Sequence, residues 1–310
     1  MRPTVCVLAD TPGWAFDSIS KILQRDLADE FTIFGKYYPE ITKETHADAV
    51  IWLWHASFYD LYQFFPPGCK HLVCLYDEHV YSQGENFQKL CYAAEHCDML
   101  LLSSKPQRCR VLPLLPVPKQ VGFCQDGVDT AMFPATPYRD NLLAGPLRIG
   151  WMGSSNSFYN GDIKGLGLIR EAISRVKNTQ LVLQDKEVKL IPKNEMHRWY
   201  AGIDVGVCFS SAEGTPNVVT ESASCGRAWI STDVGIVQEF FNGALQLGEK
   251  TNSGFITTRE VATLENLLRY INSNRNMLPE MGRVGRHVVK AYWDWKIRSE
   301  SFRRALKRVL

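Results

Sequence analysis

No apolar run in this chain of 310 residues approaches the roughly 20 that a bilayer-spanning helix needs, which excludes a helical integral membrane protein. No C-x-x-C pair is present either. The densest thiol and imidazole group (Cys69, His71, Cys74, Cys91, His96, Cys97) therefore lacks zinc-site spacing, and no metal site is expected. Nine cysteines are an odd number, and Cys6, Cys74, Cys91, Cys208 and Cys225 fall in apolar or helical segments, as reduced, buried thiols do. No internal repeat or low-complexity tract is evident. The N-terminus, Met-Arg-Pro-Thr-Val-Cys, runs into an expected strand without an apolar leader, so the expectation is a cytoplasmic protein. A strong net charge is missing as well: the formal value is +2. Its distribution is uneven, since residues 1–140 carry 12 Lys and Arg against 17 Asp and Glu, and the remainder 23 against 16. An acidic first half argues against duplex nucleic acid binding there.

What is present is an ordinary globular composition, 45% hydrophobic and 22% charged, in a chain longer than one core commonly fills. Short apolar strands alternate with helical segments. Val5 to Ala9, Phe31 to Phe34, Ala49 to Trp54, Leu72 to Tyr76, Met99 to Leu102 and Val111 to Leu115 read as strands, with helices near 15–28, 58–65 and 85–95. Residues 134–146, with Pro134, Pro137, Gly145 and Pro146, read as a linker, after which the pattern restarts. Leu147 to Met152, Leu181 to Gln184, residues 203–209 and Trp229 to Thr232 are its strands. Helices are expected at 166–176, 193–200, 262–273 and 275–290. The expectation is an α/β protein of two doubly wound, Rossmann-like domains, 1–140 and 147–294. A last amphipathic helix, 295–310, sets Phe302, Leu306 and Val309 on one stripe and Arg303, Arg304, Lys307 and Arg308 on the other. It can pack back on the first domain, or its basic face can make weak peripheral contact with anionic lipid.

The most informative stretch is Ser210-Ser-Ala-Glu-Gly-Thr-Pro-Asn-Val-Val-Thr-Glu-Ser-Ala-Ser-Cys-Gly226. An apolar strand precedes it, Gly214 opens a turn, Thr215 can N-cap a helix and Pro216 fits the first helical position. The backbone amides of 215–218, with Asn217 and Val218 among them, then point at whatever leaves the strand, and a helix N-terminus of this kind suits phosphate. Glu213 lies before those amides and Glu221 about two turns into the helix. Carboxylates do not grip phosphate, but they accept from hydroxyls. A diphosphate with a polyol at each end satisfies the whole set, and that describes a nucleotide sugar. Upstream, Gly153-Ser154 and Lys164-Gly165 follow a strand and precede a helix. Gly153 lets a backbone approach a ligand, and Lys164 offers a point charge to a diphosphate.

The first half holds further candidates at strand ends, where ligands of doubly wound sheets gather. In Asp10-Thr-Pro-Gly-Trp-Ala-Phe-Asp17, Gly13 supplies the turn and Trp14 can stack on a sugar or base, or else join Phe16 in stapling the helix to the sheet. Tyr76, Asp77, Glu78 and His79 leave another strand, and His79 suits acid, base or orienting work. His55 is a weaker candidate of the same kind.

Together these residues resemble the GT-B-fold retaining glycosyltransferases of family four, glycosyl transferases group 1. Asp126-Gly-Val-Asp129-Thr-Ala-Met-Phe133-Pro134 is similar to that family's "NGVDxxxFxP" segment. Residues 147–165 resemble its strand, Gly loop and Lys-Gly turn. Glu213 to Glu221 match its E-x7-E pair, and Cys225-Gly-Arg-Ala-Trp-Ile-Ser-Thr-Asp-Val-Gly235 with Glu239 its "CGxPVIxTxxGGxxE". The resemblance covers 126–295 well and the first half weakly. It implies a GT-B fold with a central cleft, Glu213 on donor-sugar hydroxyls, Glu221 on the ribose, and Lys164 with the helix amides on the diphosphate. It further implies retention, no metal and no cofactor beyond the donor. Ser154 stands where the family often has Arg, Tyr76 where many members have His before the Asp, and Thr215-Pro216 in place of a frequent Phe-Gly. Catalytic work then falls to Glu213, Lys164 and Asp77, with Gly13, Trp14, Tyr76 and His79 on the acceptor side. A glycan or lipid-linked glycan is the leading acceptor and a modified DNA base the second; no stable protein partner is expected. A non-catalytic nucleotide-sugar sensor is the rival of another class.

Overall fold

The computed structural model describes residues 2–43, 45–76, 84–155 and 162–310. The chain divides into two compact units, Met1–Gly127 with Trp295–Leu310, and Val128–Asp294. The first holds strands β1 (Thr4–Ala9), β2 (Thr32–Tyr37), β3 (Ala49–Trp52), β4 (Lys70–Leu75), β5 (Met99–Leu102) and β6 (Val121–Phe123), with helices α1 (Ala15–Asp26), α2 (His55–Leu61), α3 (Glu85–His96) and α4 (Lys105–Val111). The second holds β7 (Leu147–Gly153), β8 (Thr179–Asp185), β9 (Val205–Cys208), β10 (Ala228–Thr232) and β11 (Gly254–Thr257). Its helices are α5 (Leu166–Ser174), α6 (Met196–Ala201), α7 (Asn217–Ser224), α8 (Val237–Gln246), α9 (Val261–Ser273) and α10 (Leu278–Val288). The chain then returns to the first unit as α11 (Trp295–Val309).

Among the described residues each unit is one parallel sheet, ordered β2-β1-β3-β4-β5-β6 in the first and β11-β10-β9-β7-β8 in the second. Side-chain alternation shows why the strands read as unbroken apolar runs. Val5, Val7 and Ala9 pack with Ile19 and Leu23 of α1 and Phe302 and Leu306 of α11. Cys6 and Leu8 point the other way, onto Phe58 of α2 and Leu90 and Ala94 of α3. Both faces are covered by helices, so neither can be polar. The second sheet repeats the scheme: Val205, Val207 and Phe209 pack with Ile169 and Leu268, while Cys208 packs with Val219, Phe240 and Val288.

Two expectations change. Val111 to Leu115 is not a strand but the end of α4 and a 3-10 turn at Leu112–Leu114. The Ser104 hydroxyl caps α4 by accepting from Gln107 N at 3.1 Å, Pro106 sits in its first turn, and Pro113 ends the regular helix. The sixth strand is the short Val121–Phe123. Residues 134–146 belong to the second unit. Tyr138 donates to Asp204 O at 3.1 Å, Arg139 pairs with Asp204 at 2.9 Å, and Leu142 enters the core. Proline and glycine there shape an irregular segment that buried polar contacts pin in place.

The apolar stripe of α11 (Phe302, Ala305, Leu306) is buried in the first unit. Arg303 pairs with Asp29 and Glu30 at 2.9 and 2.8 Å, and Lys307 with Glu30 at 2.5 Å, while Arg304 and Arg308 stay exposed. Among the described residues no helix is long and apolar enough to cross a membrane.

Two first-unit histidines are held neutral. His71 Nδ1 accepts from Trp52 Nε1 at 3.2 Å, which requires its proton on the other nitrogen, and His55 is buried at the start of α2. Burial pushes each imidazole down to about 4. Below the unfolded value of about 6.5 the unfolded chain takes up protons that the folded one refuses, so stability falls as pH drops from about 6.5 towards 4. Urea denaturation is expected to show a loss of about 2 kcal/mol per histidine between pH 7 and pH 5. The double variant His55→Gln, His71→Gln should lose much of that dependence; an equal pH dependence in the variant would refute the assignment.

Candidate functional site

Strands β7 and β9 are neighbours, so the loops that leave them run side by side. Asp162 accepts from Leu166 N at 2.9 Å and Gly167 N at 2.6 Å, capping α5 where Gly165 cannot. Ser211 N donates to Ile163 O at 2.9 Å, and Trp151 Nε1 to Lys164 O at 3.2 Å. Gly165 has φ +71°, and a Cβ there would lie 2.3 Å from Phe209 O, so only glycine lets the two loops close up. The result is a short ion pair, Lys164 Nζ to Glu213 Oε1 at 2.5 Å. Ser210 Oγ donates to the same carboxylate oxygen at 2.7 Å. From the other side, Ile236 N donates to Gly214 O at 3.1 Å, and a Cβ at Gly235 would come within 1.9 Å of that oxygen.

Helix α7 begins one residue later than its sequence suggests. Pro216, with φ −71° and ψ 100°, is the extended cap residue, in the position the sequence suggested for Thr215. Its ladder opens with Val219 N donating to Pro216 O at 2.9 Å, so the N–H groups of Asn217 and Val218 precede it and Pro216 has none to offer. Glu221, on the buried face of α7, accepts from Tyr200 Oη at 2.8 Å and lies 3.9 Å from Lys193 Nζ. Burial pushes its carboxyl above the usual range; Lys193, the Tyr200 hydroxyl and Lys186 oppose the shift.

Gly153 ends β7 opposite Asp185. A Cβ there would meet the Trp151 ring at 2.7 Å, so the buried tryptophan itself requires the glycine. Ser154 Oγ donates to Glu187, and Ser155 N to Asp185 Oδ1 at 3.1 Å. Sequence reasoning passed over two residues that the fold adds to this place. Lys193 approaches Glu221, and Lys186 sits in the field of Lys164, Glu213, Glu221 and Lys193. A signal for Lys186 existed: it follows directly on the carboxyl end of β8.

In the first unit Gly13, at φ +80°, donates its N–H to Asp17 Oδ2 at 2.8 Å. Trp14 precedes α1 and is 56% exposed, whereas Phe16 packs on Tyr76 with ring centroids 5.4 Å apart and the rings tilted at 40°. The Tyr76 phenol is pushed well above its ordinary range by burial and then by Asp126. Trp54, not singled out from the sequence, is 42% exposed beyond the end of β3. His55 is a core residue. Asp77, Glu78 and His79 lie outside the described residues. Among the described residues no group of three or more His, Cys, Asp or Glu comes together to hold a metal ion.

Two parallel-sheet α/β units with these topologies make the GT-B fold, the architecture of the glycosyltransferases whose solved structures it resembles. The chain is similar to sucrose-phosphate synthase from Thermosynechococcus elongatus, at TM-score 0.79 and 12% identity over 99% of both chains. It is similar to Anabaena HepE solved with UDP-glucose, at TM-score 0.76 and 11% identity over 99% of this chain and 100% of that one. A glycosyltransferase from Rickettsia africae matches at TM-score 0.66 and 14% identity, over 99% and 98%. The family model for glycosyl transferases group 1 matches residues 165–269, a span that holds Lys186, Lys193, Glu213 and Glu221 and begins just after Lys164. No curated protein sequence matches the chain.

A carboxyl raised by burial favours folding below the unfolded value near 4.5, and that contribution is lost as pH rises through the folded value. Ionised Glu221 therefore costs stability at neutral pH. Glu221→Gln is expected to raise the thermal midpoint at pH 7, with the gain shrinking towards pH 4. Tyr200→Phe, which strands the carboxylate, should lower stability by about 1–3 kcal/mol. A lowered midpoint for Glu221→Gln at pH 7 would mean that the lysine field outweighs burial.

Proposed function

We propose that this chain is a glycosyltransferase of the family-four kind, moving a sugar from a nucleotide diphosphate sugar to an acceptor hydroxyl with retention and without a metal ion. The observation that carries the reading is the Lys164 and Glu213 pair beside the N-terminus of α7, with Glu221 held by Tyr200 further along the same helix. In this reading Glu213 accepts from donor-sugar hydroxyls and Glu221 from the ribose, while Lys164 and the amides at 217 and 218 face the diphosphate. The bond from the anomeric carbon to the diphosphate breaks, and the acceptor oxygen bonds to that carbon from the same face. Lys164 and the helix end meet the charge that grows on the departing diphosphate, a contribution that usually dominates such catalysis. They take the part a divalent ion plays elsewhere.

HepE, solved with UDP-glucose, supports a uridine donor. The acceptor is read as a glycan or lipid-linked glycan. Trp14 and Trp54, exposed beyond the ends of the adjacent strands β1 and β3, offer stacking faces for sugar rings. Asp77 and His79 are the first-unit candidates for acid and base work.

A thermal-shift panel of UDP, GDP, ADP, CDP and their sugars tests the donor. Ligand at 100 times its dissociation constant adds about 2.7 kcal/mol of stability, enough to resolve. Glu213→Ala is expected to keep its fold and lose transfer by a factor on the order of 100 or more. Near-normal turnover in that variant would end the reading.

A further inference from the structure

Two ion pairs at the head of the second sheet cancel their own charges. Lys164 lies 2.5 Å from Glu213, and Lys193 lies 3.9 Å from Glu221. A nucleoside diphosphate carries negative charge on both phosphates, which two neutral pairs do not balance. Arg259 is held there by the carbonyls of Phe209 and Asp162, and a further cation outside those pairs is Lys186. Lys186 follows the last residue of β8, and its backbone N–H donates to Gly153 O at 2.9 Å, fixing it against the end of β7.

The two carboxylates that flank it in the chain, Asp185 and Glu187, are engaged by neutral donors and form no ion pair with it. Asp185 accepts from Ser155 N and Glu187 N, both at 3.1 Å, while Glu187 accepts from Ser154 Oγ. Among the described residues the Lys186 ammonium makes no ion pair, although Lys164, Glu213, Glu221 and Lys193 all act on it. The residue reaches solvent, yet the surrounding protein first, and then Lys164, push its ammonium below the ordinary lysine range. A cation in that position gains by meeting an anion that satisfies it and Lys164 together.

We propose that Lys186 is a diphosphate-contacting residue of the donor site, supplying the positive charge that the Lys164 and Glu213 pair cannot. The inference rests on the donor-site reading above and adds to it a residue which that reading does not use. Position 154, a serine turned towards Glu187, contributes no charge, and the cation enters instead from the neighbouring strand.

Calorimetric titration of the full chain with UDP, GDP, ADP, CDP and the corresponding nucleosides tests this. Lys186→Met is expected to weaken the preferred nucleoside diphosphate by roughly tenfold or more, as loss of a charged hydrogen bond does, and to leave the nucleoside alone unchanged. Lys186→Arg should stay within about threefold of the wild type, because the charge is kept. Wild-type affinity for the diphosphate in Lys186→Met would overturn the inference and leave the donor-site reading standing. An equal loss for diphosphate and nucleoside would overturn it too, as damage to the pocket. If the folded wild type binds none of the nucleoside diphosphates, the donor-site reading fails and takes the inference with it.

Discussion

The second unit is organised around one short contact, the ion pair between Lys164 and Glu213. Its partners stand 49 residues apart and meet because β7 and β9 are hydrogen-bonded neighbours whose exits must run together. That approach dictates the small residues around it. Gly165 has no room for a Cβ against Phe209 O, and Gly235 none against Gly214 O. Holding Lys164 and Glu213 against each other in this way would lower the ordering cost of binding the proposed donor, which is the physical meaning of preorganisation.

A second constraint lies at the amino end of β10. Arg227 is fully buried without a carboxylate and is satisfied by carbonyls. Its Nε donates to Tyr200 O and Ile203 O at 3.1 and 3.0 Å, and its terminal nitrogens donate to Thr136 O at 2.7 Å and Pro137 O at 3.0 Å. The guanidinium also lies over the Tyr138 ring, 4.5 Å from its centroid. One side chain thus ties residues 136–138 to the end of α6 and sets the backbone of Tyr200, whose hydroxyl reaches Glu221. The setting of Glu221 thus depends, through Tyr200, on the fork of hydrogen bonds that Arg227 makes.

Much of the fold was legible because it rests on local signals. Apolar runs bounded by polar turns marked the inner strands, and covered faces made those runs continuous. Where the sequence misled, proline-rich segments were responsible. Val111 to Leu115 has the apolarity of a strand, but Ser104, Pro106 and Pro113 frame a short helix instead. Residues 134–146 have the composition of a linker, and their burial comes from Asp204 and Arg227, partners that no local pattern reveals. The strand β6 is three residues long, too short for any alternation to register.

The sequence by itself determined which residues could carry the site. Glu213, Gly214, Pro216 and Glu221 lie on one stretch whose spacing around a helix start is local chemistry, and Lys164-Gly165 is a turn that names itself. Pairing was decided by the tertiary structure. Only the strand order β9-β7-β8 sets the loops after three strands next to one another, bringing Lys164 onto Glu213 and Lys186 into their field. Burial raises the Glu221 carboxyl, and burial together with the neighbouring Lys164 and Lys193 lowers the Lys186 ammonium. Residue type and spacing are properties of the chain, whereas charge balance depends on through-space distance and desolvation, which exist only once the sheet has formed.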